Sequence, residues 1–543
     1  MNSPSSWPPP SSQAPPAGRL SRSALLGEAL ALFLVLAAAA YLRFDQLAEN
    51  PGWYSDEGTI VDIAQNLTEG KLQYLALGRS TLLAARLPLM PWLLSLVLSG
   101  SHNTLFTLRC LTASLGVLSA LLLYLLVRAS LGPASRATAF LAGLFYAIYP
   151  FAVFYNRIGF SYNLLTPLLL VAAGGFWFYL DRGRKAGLAV AALAIGLGTV
   201  TDLMMISLTA PFVVVALARR WRDLLWGLPL LALPFGAYAV TMLLRDAPAF
   251  LFDAQFTLGR LTAIPWWAQL PLLTLNLGTL ALTDPWWIPA VIGLLLLRPP
   301  RWRLLMLTLL FLPLLVLGRS SGLAGLRRYS ISPLFPLVTL GMANLIALGL
   351  PWILRFAQST LQDAFARIKW LGSSRRSDWL RRRLVALGSA GTVFLLGLTP
   401  LLISTVDLVN QVQRGFRPEN DWAYVPARDA AAAAALVNQR AAPTDLVLAS
   451  PAVAWTVNAQ AADFQQSLAF DGQPSVDYPP EIPPERFVFE AGFDRAGYVI
   501  VDRVWLEWGA VHIEGVADML EQLGSWHRIG QQGDLEIYAR ERP

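Results

Sequence analysis

The residues best suited to chemistry are two adjacent carboxylates, Asp56 and Glu57, which follow the first long apolar run of the chain. They begin an amphipathic segment whose apolar residues recur at helical spacing, namely Ile60, Ile63, Ala64 and Leu67. This pattern predicts a helix that lies in a membrane interface with its apolar face toward lipid. Acids at the start of a helix are stabilised by its dipole, so simple capping is the alternative to a catalytic role.

Composition places these two acids in a membrane protein. The 543 residues are 55% hydrophobic and 14% charged, with a mean hydropathy of +0.49; soluble proteins contain about 25% charged residues. Residues 1–406 carry 32 Lys and Arg against 15 Asp and Glu, whereas residues 407–543 carry 10 against 20. The basic balance is typical of cytoplasmic loops under the positive-inside rule, so we set nucleic acid aside as a partner.

Eleven apolar runs are long enough to cross a bilayer, which takes about 20 residues. The first covers about residues 23–42, and the others begin near Leu105, Ala137, Asn163, Ala186, Leu203, Leu224, Pro285, Arg303, Tyr329 and Leu384. The segment 270–287 is ambiguous. Residues 1–21 are rich in Pro and Ser and are predicted to form a disordered cytoplasmic tail. Cleavage of a signal peptide near Ala40 is the alternative for the first run.

The charges of the loops predict the orientation and the domains. Lys and Arg cluster in every second loop, which places the N-terminus in the cytoplasm and, with an odd number of spans, the C-terminus outside. We therefore predict an integral cell-membrane protein that is mainly α-helical. Residues 22–406 form its helical bundle, in which 43–103 is the first outer loop with interfacial helices. Residues 407–543 form a small extracytoplasmic α/β domain.

Few carboxylates are available for chemistry on the outer side of this topology. In the membrane part they are Asp45, Glu49, Asp56, Glu57, Asp62, Glu69, Asp202, Asp246, Asp253 and Asp284. No acid occurs between Lys71 and Leu180. A base acting at the outer face and supplied by the membrane part must come from this set. The single cysteine, Cys110, and the three histidines show no metal-binding spacing.

The residues around Asp56 resemble the first outer loop of the GT-C membrane glycosyltransferases. The segments that match are PGWYSDEG at 51–58, AQNLTEG at 64–70, RLPLMPW at 86–92, Arg109 at the start of the second span and RRYSISP at 327–333. Order and spacing agree over residues 22–350. The groups it resembles are glycosyltransferase family 39, which is protein O-mannosyltransferase-like, and the aminoarabinose transferases of lipid A.

This resemblance implies a GT-C bundle that moves a sugar from a polyprenyl-phosphate donor to a hydroxyl of a lipid, glycan or protein acceptor. Asp56 is implied as the base that takes the hydroxyl proton, and Glu57 as a residue that orients Asp56 or the sugar hydroxyls. A single displacement at the anomeric carbon inverts its configuration.

The phosphate that leaves needs cations near the membrane surface. The candidates are, first, Arg86 and Arg328 and, second, Arg327, Arg157, Lys71 and Arg79. The alternative for each arginine is an interface anchor whose charged end reaches the lipid headgroups.

Two positions depart from the family pattern. The segment NRIGFSYN at 156–163 has no carboxylate where relatives often carry one, and Thr201-Asp202 stands where relatives often have Thr-Lys. We therefore predict no metal ligands and leave open whether a divalent metal assists. The rival interpretation is a lipid or polysaccharide transporter or flippase, which would place ionisable groups within spans and show internal repeats. Neither feature is visible in the sequence.

Overall fold

The computed structural model describes residues 22–82, 87–98, 104–132, 135–262, 266–318, 330–349, 399–413 and 421–541. Several expectations fall on residues outside these ranges. They are the tail 1–21, the cations Arg86, Arg327 and Arg328, and most of the span that begins near Leu384. These expectations stay predictions.

Helices dominate the described residues between 22 and 413 and confirm the predicted helical membrane bundle. In chain order they are α1 (Arg22–Phe44), α2 (Ser55–Thr68), α3 (Leu89–Leu98), α4 (Thr104–Ser130), α5 (Arg136–Ile148), α6 (Pro150–Asn156), α7 (Tyr162–Arg182), α8 (Lys185–Thr199), α9 (Thr209–Arg219), α10 (Leu224–Thr262), α11 (Trp266–Thr283), α12 (Trp287–Leu295), α13 (Pro300–Leu317), α14 (Ser332–Gly349) and α15 (Thr399–Gln413). A 3-10 helix, Leu203–Leu208, precedes α9.

Six helices in the described part of the chain are long and apolar enough to cross a membrane. The pair α5 and α6, bent by 57°, would make a seventh crossing if it is one span. Shorter apolar helices cover Leu89–Leu98, Lys185–Thr199 and Leu203–Arg219. The ambiguous segment near 270–287 is helical through Thr283 and turns at Asp284 before α12. The total of eleven crossings remains a prediction.

The hairpin of α7 and α8 shows how small residues bring helices into backbone contact. A Cβ atom on Gly175 would lie 2.5 Å from the carbonyl oxygen of Gly187. The turn between the helices places Gly183 at φ +68°, a conformation that favours glycine. Helix α4 packs against α7 and also against α2, so α4 joins this hairpin to the first outer loop.

Helix α10 is two helical segments joined at a kink. Asp246 at the break has φ −159° and ψ 81°, and Pro248 follows two residues later. Beyond the kink, Phe252 and Phe256 pack against residues of the C-terminal region. The second segment therefore leaves the direction of the first and contacts the C-terminal region.

The first outer loop contains the predicted helix α2, preceded by β1 (Trp53–Tyr54) and followed by the hairpin of β2 (Gln73–Tyr74) and β3 (Leu77–Gly78). Its apolar residues do not face lipid as we predicted. Ile60 and Ala64 pack with residues of α3 and α4, and Ile63 packs with the C-terminal region. The expected lipid-facing surface is wrong because protein on both sides of the helix covers it.

Residues 421–541, the C-terminal unit, contain a five-stranded sheet with helices, as the composition of its apolar runs predicts. Its elements are β4 (Tyr424–Val425), α16 (Ala427–Asn438), β5 (Leu446–Ala449), α17 (Pro451–Ala454), β6 (Gln460–Ala462), α18 (Phe464–Phe470), β7 (Ala496–Val501), α19 (Ala510–His512), α20 (Glu514–Leu523), β8 (His527–Gln532) and β9 (Leu535–Ala539). The strand order is β6-β5-β7-β9-β8, with β5 parallel to both neighbours and β9 antiparallel to both of its own.

Candidate active site

Asp56 lies in the first turn of α2, at the point where the membrane bundle meets the C-terminal unit. The strand immediately before it, β1, pairs with β4, so that Trp53 lies opposite Val425 and Tyr54 opposite Tyr424. The side chain of Asp56 is half-buried. The acid is therefore held by elements from both parts of the chain and still reaches the surface.

The neighbouring Glu57 is completely buried and forms a bidentate ion pair with Arg109 of α4. Arg109 donates from Nε to Oε1 at 2.8 Å and from Nη2 to Oε2 at 2.7 Å. The backbone N–H of Gly159 donates to Oε1 at 2.7 Å, and that of Tyr54 donates to Oε2 at 3.0 Å. Each oxygen thus accepts two hydrogen bonds, and both side chains of the pair have 0% exposure.

These contacts change the interpretation of Glu57. The expectation that it orients sugar hydroxyls directly does not fit a side chain that is fully buried and surrounded by protein donors. The contact with Tyr54 is half of a capping box and fixes the start of α2. Glu57 therefore fixes the backbone that carries Asp56.

Arg109 also holds the chain that leads into the site. Its guanidinium donates to the carbonyl oxygens of Pro51 and Gly52, at 2.8 Å each, and to that of Leu47 at 3.3 Å. A guanidinium has five N–H groups in a planar fork, which suits such a convergence of acceptors. One arginine thus joins α4 to the loop before Asp56 and to the helix that carries it.

Two further buried arginines lie nearby, Arg157 in contact with the loop before Asp56 and Arg43 in contact with helices α5 and α6. Arg157, which we proposed from the sequence as a phosphate ligand, donates to the carbonyls of Leu42, Asp45 and Asn50. Arg43 donates to Asn156 and to the carbonyls of Tyr146 and Ala147. Both are at most 4% exposed.

The other described cations of the predicted phosphate site lie at the surface of the outer loop. Lys71 is 58% exposed and pairs with Glu69 at 2.7 Å. Arg79 is 42% exposed and pairs with Asp246 at the kink of α10. The structure does not bring Lys71 and Arg79 into the buried arginine cluster. Arg86, Arg327 and Arg328 lie outside the described residues.

The C-terminal unit packs directly against the acid-bearing helix. A Cβ atom on Gly58 would lie 1.7 Å from the carbonyl oxygen of Pro451, so only glycine allows this contact. The rings of Trp53 and Trp455 lie 5.1 Å apart beside it. The turn after β5 is therefore in backbone contact with the residue two positions beyond Asp56.

The edge of the sheet that makes this contact is its carboxyl edge, where open α/β sheets usually bind ligands. A polar residue follows each of the three parallel strands: Ser450 after β5, Asp463 after β6 and Asp502 after β7. Ser450 donates to Asp502, whose pKa burial raises to about 6. Since Pro451 meets Gly58 and Asp463 meets Tyr74, the first outer loop occupies this edge.

A buried polar chain joins the two parts next to the sheet edge. Tyr74 donates to Asp463 at 3.3 Å, and Thr59 of α2 lies 3.3 Å from the Tyr74 hydroxyl. Asp463 also accepts the backbone N–H of Gln466 at 2.8 Å. Burial raises the pKa of Asp463 to about 7, and repulsion from Asp477 adds to that rise. This junction is therefore sensitive to protonation near neutral pH.

A second buried ion pair lies at the other side of the junction. Arg486 of the C-terminal unit donates to Asp253 of α10, from Nη1 at 2.6 Å and from Nη2 at 3.1 Å. It also donates to the carbonyl of Gly78 in the outer loop at 3.1 Å. Arg486 is 2% exposed and Asp253 0%. One side chain thus joins three separate segments.

A metal centre is not apparent in the described part of the chain, where no group of three His, Cys, Asp or Glu side chains could hold an ion. Glu57, the acid next to Asp56, has its oxygens engaged by N–H donors. Glu57 is therefore not suited to bind a metal ion.

Sequence reasoning overlooked the residues that hold the site. Arg43 and Arg486 received no role, although an arginine at the end of an apolar run, as at Arg43, is a recognisable signal. Arg109 entered only as part of the family resemblance. Gly58 carried no signal of its own, because its need for glycine comes from a contact with Pro451, far away in the chain.

Comparisons with known proteins agree with this architecture. Residues 85–244 match the family model of dolichyl-phosphate-mannose-protein mannosyltransferase. No match is found among curated proteins. The structure of ArnT from Cupriavidus metallidurans bound to undecaprenyl phosphate is similar over 96% of this chain and 98% of that one, with 15% identity and a TM-score of 0.60.

A second similar structure is the archaeal oligosaccharyltransferase AglB from Archaeoglobus fulgidus, in complex with an inhibitory peptide and a dolichol-phosphate. The similarity covers 96% of this chain and 75% of the AglB chain, with 14% identity and a TM-score of 0.52. The chain therefore has the fold of the GT-C membrane glycosyltransferases, and the resemblance seen in the sequence is confirmed.

Proposed function

We propose that this protein is a membrane glycosyltransferase that moves a sugar from a polyprenyl-phosphate donor to a hydroxyl of a lipid, glycan or protein acceptor. The observation that carries the proposal is the setting of Asp56, a half-buried acid on a helix whose backbone is fixed by the buried Glu57–Arg109 pair. Preorganised acids of this kind are suited to general base catalysis. The fold and the relatives that bind polyprenyl or dolichol phosphate support it.

In the proposed reaction the acceptor hydroxyl oxygen attacks the anomeric carbon as Asp56 takes the hydroxyl proton. The bond between the anomeric carbon and the phosphate oxygen breaks, and polyprenyl phosphate leaves with the electron pair. One displacement inverts the anomeric configuration. Glu57 and Arg109 act as positioning residues for Asp56.

The charge of the leaving phosphate is met by cations in two positions. Arg86, Arg327 and Arg328 are proposed as direct ligands. Below the outer loop, the buried Arg43 and Arg157 add positive charge close enough to repel each other, whereas the charge of Arg109 is balanced by Glu57. Lys71 and Arg79 remain second candidates at the rim.

The apolar tail of the donor has a suitable place beside the 3-10 helix that leads into α9. An open cavity of about 740 Å³ lies between that segment and α13, and its polar lining is limited to Ser207 and Thr209. The segment that precedes the 3-10 helix is hydrogen-bonded to the outer loop. The backbone N–H of Leu89 donates to the carbonyl oxygen of Val200. A lipid tail in this cavity would keep its phosphate near the outer loop.

We also propose the orientation that the charges predict, with the N-terminus cytoplasmic and the C-terminal unit outside. The donor would then be used at the extracytoplasmic face of the cell membrane. Cysteine labelling of exposed positions in α20, compared in intact and opened cells, tests this orientation independently of activity.

The test of the reaction uses the purified full-length protein and a panel of polyprenyl phosphosugars, with released polyprenyl phosphate as the readout. Asp56→Asn is expected to reduce transfer by at least about 100-fold, the usual effect of losing a general base. Asp494→Asn, an exposed acid of the C-terminal unit, is the matched control and should retain activity. Full activity in Asp56→Asn would exclude Asp56 as the base, and repeating the assay in EDTA tests metal dependence.

A further inference from the structure

A small cavity at the opposite end of the bundle is built from three helix ends. It is lined by Ser130 at the end of α4, by Trp177, Leu180 and Asp181 at the end of α7, and by Pro299, Arg301 and Trp302 at the start of α13. Helices α4 and α7 begin next to the outer loop and run for 27 and 21 residues. At 1.5 Å per residue, the cavity lies roughly 30–40 Å from the candidate active site.

One of the residues that line this cavity, Trp302, carries a buried polar group with no hydrogen-bond partner among the described residues. Trp302 is only 3% exposed. Its indole N–H is buried and makes no hydrogen bond to any described residue. A buried donor without an acceptor is costly, so such a group indicates an acceptor that binds there. The first turn of α13 lies beside it, and the N-terminus of a helix favours a negative group.

The rim of the cavity carries charges of both signs. Arg301 and Asp181 line it from different helices, and both side chains are exposed. The neighbouring Arg182 lies over the ring of Trp177, 5.7 Å from its centre. A tryptophan with arginines around it is typical of the level of lipid headgroups. A ligand that pairs with both Arg301 and Asp181 carries a negative and a positive group.

We propose that this cavity binds the headgroup of a membrane phospholipid that carries a phosphate and a primary amine. The phosphate accepts from the indole N–H of Trp302 and from Arg301, and the ammonium donates to Asp181. The cavity volume of about 50 Å³ is enough for a phosphate-sized group. The amine lies at the mouth, and the acyl chains extend into the bilayer beside α4 and α13.

The proposal does not depend on the transfer reaction, and it differs from general attraction of basic loops to anionic lipid. Such attraction follows net charge, falls with ionic strength and needs no particular side chain. The site proposed here requires a buried indole N–H and a carboxylate. It therefore predicts preference for a zwitterionic lipid with a primary amine over an anionic one.

The experiment measures lipid binding to the delipidated full-length protein by native mass spectrometry and by thermal shift. The probes are phosphatidylethanolamine, phosphatidylglycerol and phosphatidylcholine with identical acyl chains. We expect one saturable phosphatidylethanolamine per chain, bound at least fivefold more tightly than phosphatidylcholine, whose quaternary ammonium has no N–H to donate. Equal binding of all three lipids would overturn the proposal.

Variants separate the two halves of the headgroup. Trp302→Phe keeps the ring and removes the N–H, and should weaken phosphatidylethanolamine and phosphatidylglycerol alike by about threefold to tenfold. Asp181→Asn should weaken only phosphatidylethanolamine. Arg301→Gln, at the exposed rim, tests the phosphate contact should the Trp302 variant fold poorly.

The matched control is Trp221→Phe, an exposed tryptophan at the same end of the bundle, which carries Arg222 over its ring. It should bind all three lipids as the unchanged protein does. Identical effects of the two tryptophan variants, or an Asp181→Asn variant with unchanged selectivity, would overturn the proposal. Binding of millimolar inorganic phosphate together with no preference among the three lipids would do so as well, because it would assign the cavity to a free anion.

Discussion

The two buried ion pairs of this protein have the same chemistry and different tasks. Glu57–Arg109 joins the first outer loop to α4, 52 residues further along the chain. Asp253–Arg486 joins α10 to the C-terminal unit, 233 residues away. In both pairs the arginine donates to the carboxylate through two nitrogens and also to backbone carbonyls. The same arrangement fixes the backbone of the proposed base, Asp56, in one place and docks a separate unit in the other.

Because the two pairs lie at different places, they are expected to control different properties of the protein. The first pair acts one residue from Asp56, so its loss changes the position of the acid itself. The second pair acts on the C-terminal unit, which contacts α2 at Gly58 and Ile63 rather than at Asp56 itself. Removing one partner of a buried pair costs about 3–5 kcal/mol in either case, since the other charge stays buried. Activity, rather than stability, should therefore distinguish the two.

The largest effect is expected for Arg109→Gln, which leaves Glu57 buried without its counter-ion. We expect kcat for the active donor to fall by at least about 100-fold, because a misplaced base loses most of its contribution, while KM changes little. Steady-state kinetics on the purified protein check this. A fall in stability of about 3–5 kcal/mol should accompany it.

A double-variant cycle shows whether the two side chains act together. Glu57→Gln combined with Arg109→Gln leaves no uncompensated charge, and should be less destabilised than the sum of the two single variants. Strictly additive losses would contradict the coupling. A kinetic effect confined to KM would instead indicate that Arg109 contributes to binding rather than to the position of Asp56.

Breaking the second pair, Asp253–Arg486, should have a smaller effect on the transfer activity. Arg486→Met is expected to raise hydrogen exchange at least tenfold in two segments that it joins, β3 and the part of α10 near Asp253, because their common partner is lost. Hydrogen–deuterium exchange with mass spectrometry measures this. Activity should fall less than in Arg109→Gln, by about tenfold. Unchanged exchange in both segments would exclude Arg486 as the docking contact.

Asp463 makes the docking of the C-terminal unit on the first outer loop dependent on pH. Burial raises its pKa to about 7, above the usual value near 4 in an unfolded chain. Between these values the folded protein keeps a proton that the unfolded chain has lost, so stability falls as pH rises from about 4 to 7. The groups facing it are Tyr74, Asp477 and Tyr478 together with the N–H of Gln466.

We expect the melting temperature of the unchanged protein to fall by about 3–6 °C between pH 5 and pH 8. Asp463→Asn keeps an oxygen for the Gln466 N–H and removes the titrating proton, so its slope should be visibly flatter. Asp494→Asn, an exposed acid in the same unit, is the control and should follow the unchanged protein. If the melting temperatures of the unchanged protein and of both variants fall equally with pH, the pH dependence cannot be assigned to Asp463.

The sequence predicts what depends on neighbours along the chain and fails where distant segments meet. Apolar runs predicted the membrane helices, and the spacing of Ile60, Ile63 and Ala64 predicted α2, since helical periodicity is local. What covers that apolar face was predicted wrongly, because the C-terminal unit that packs on it is separated by more than 350 residues. The adjacent acids were recognisable as a pair, but only the position of Arg109 shows that they have different environments.

The smallest effect is expected at the exposed pair of Lys71 and Glu69, which completes the comparison with the two buried pairs. Their atoms lie 2.7 Å apart, as in the buried pairs, but both side chains are more than half exposed. Water screens such a pair, so Lys71→Gln should change stability by less than about 0.5 kcal/mol in thermal or chemical unfolding. Activity measured on the same sample decides its second role. A rise in KM for the donor with unchanged stability would place Lys71 at the phosphate, and unchanged kinetics would leave that role to Arg86, Arg327 and Arg328.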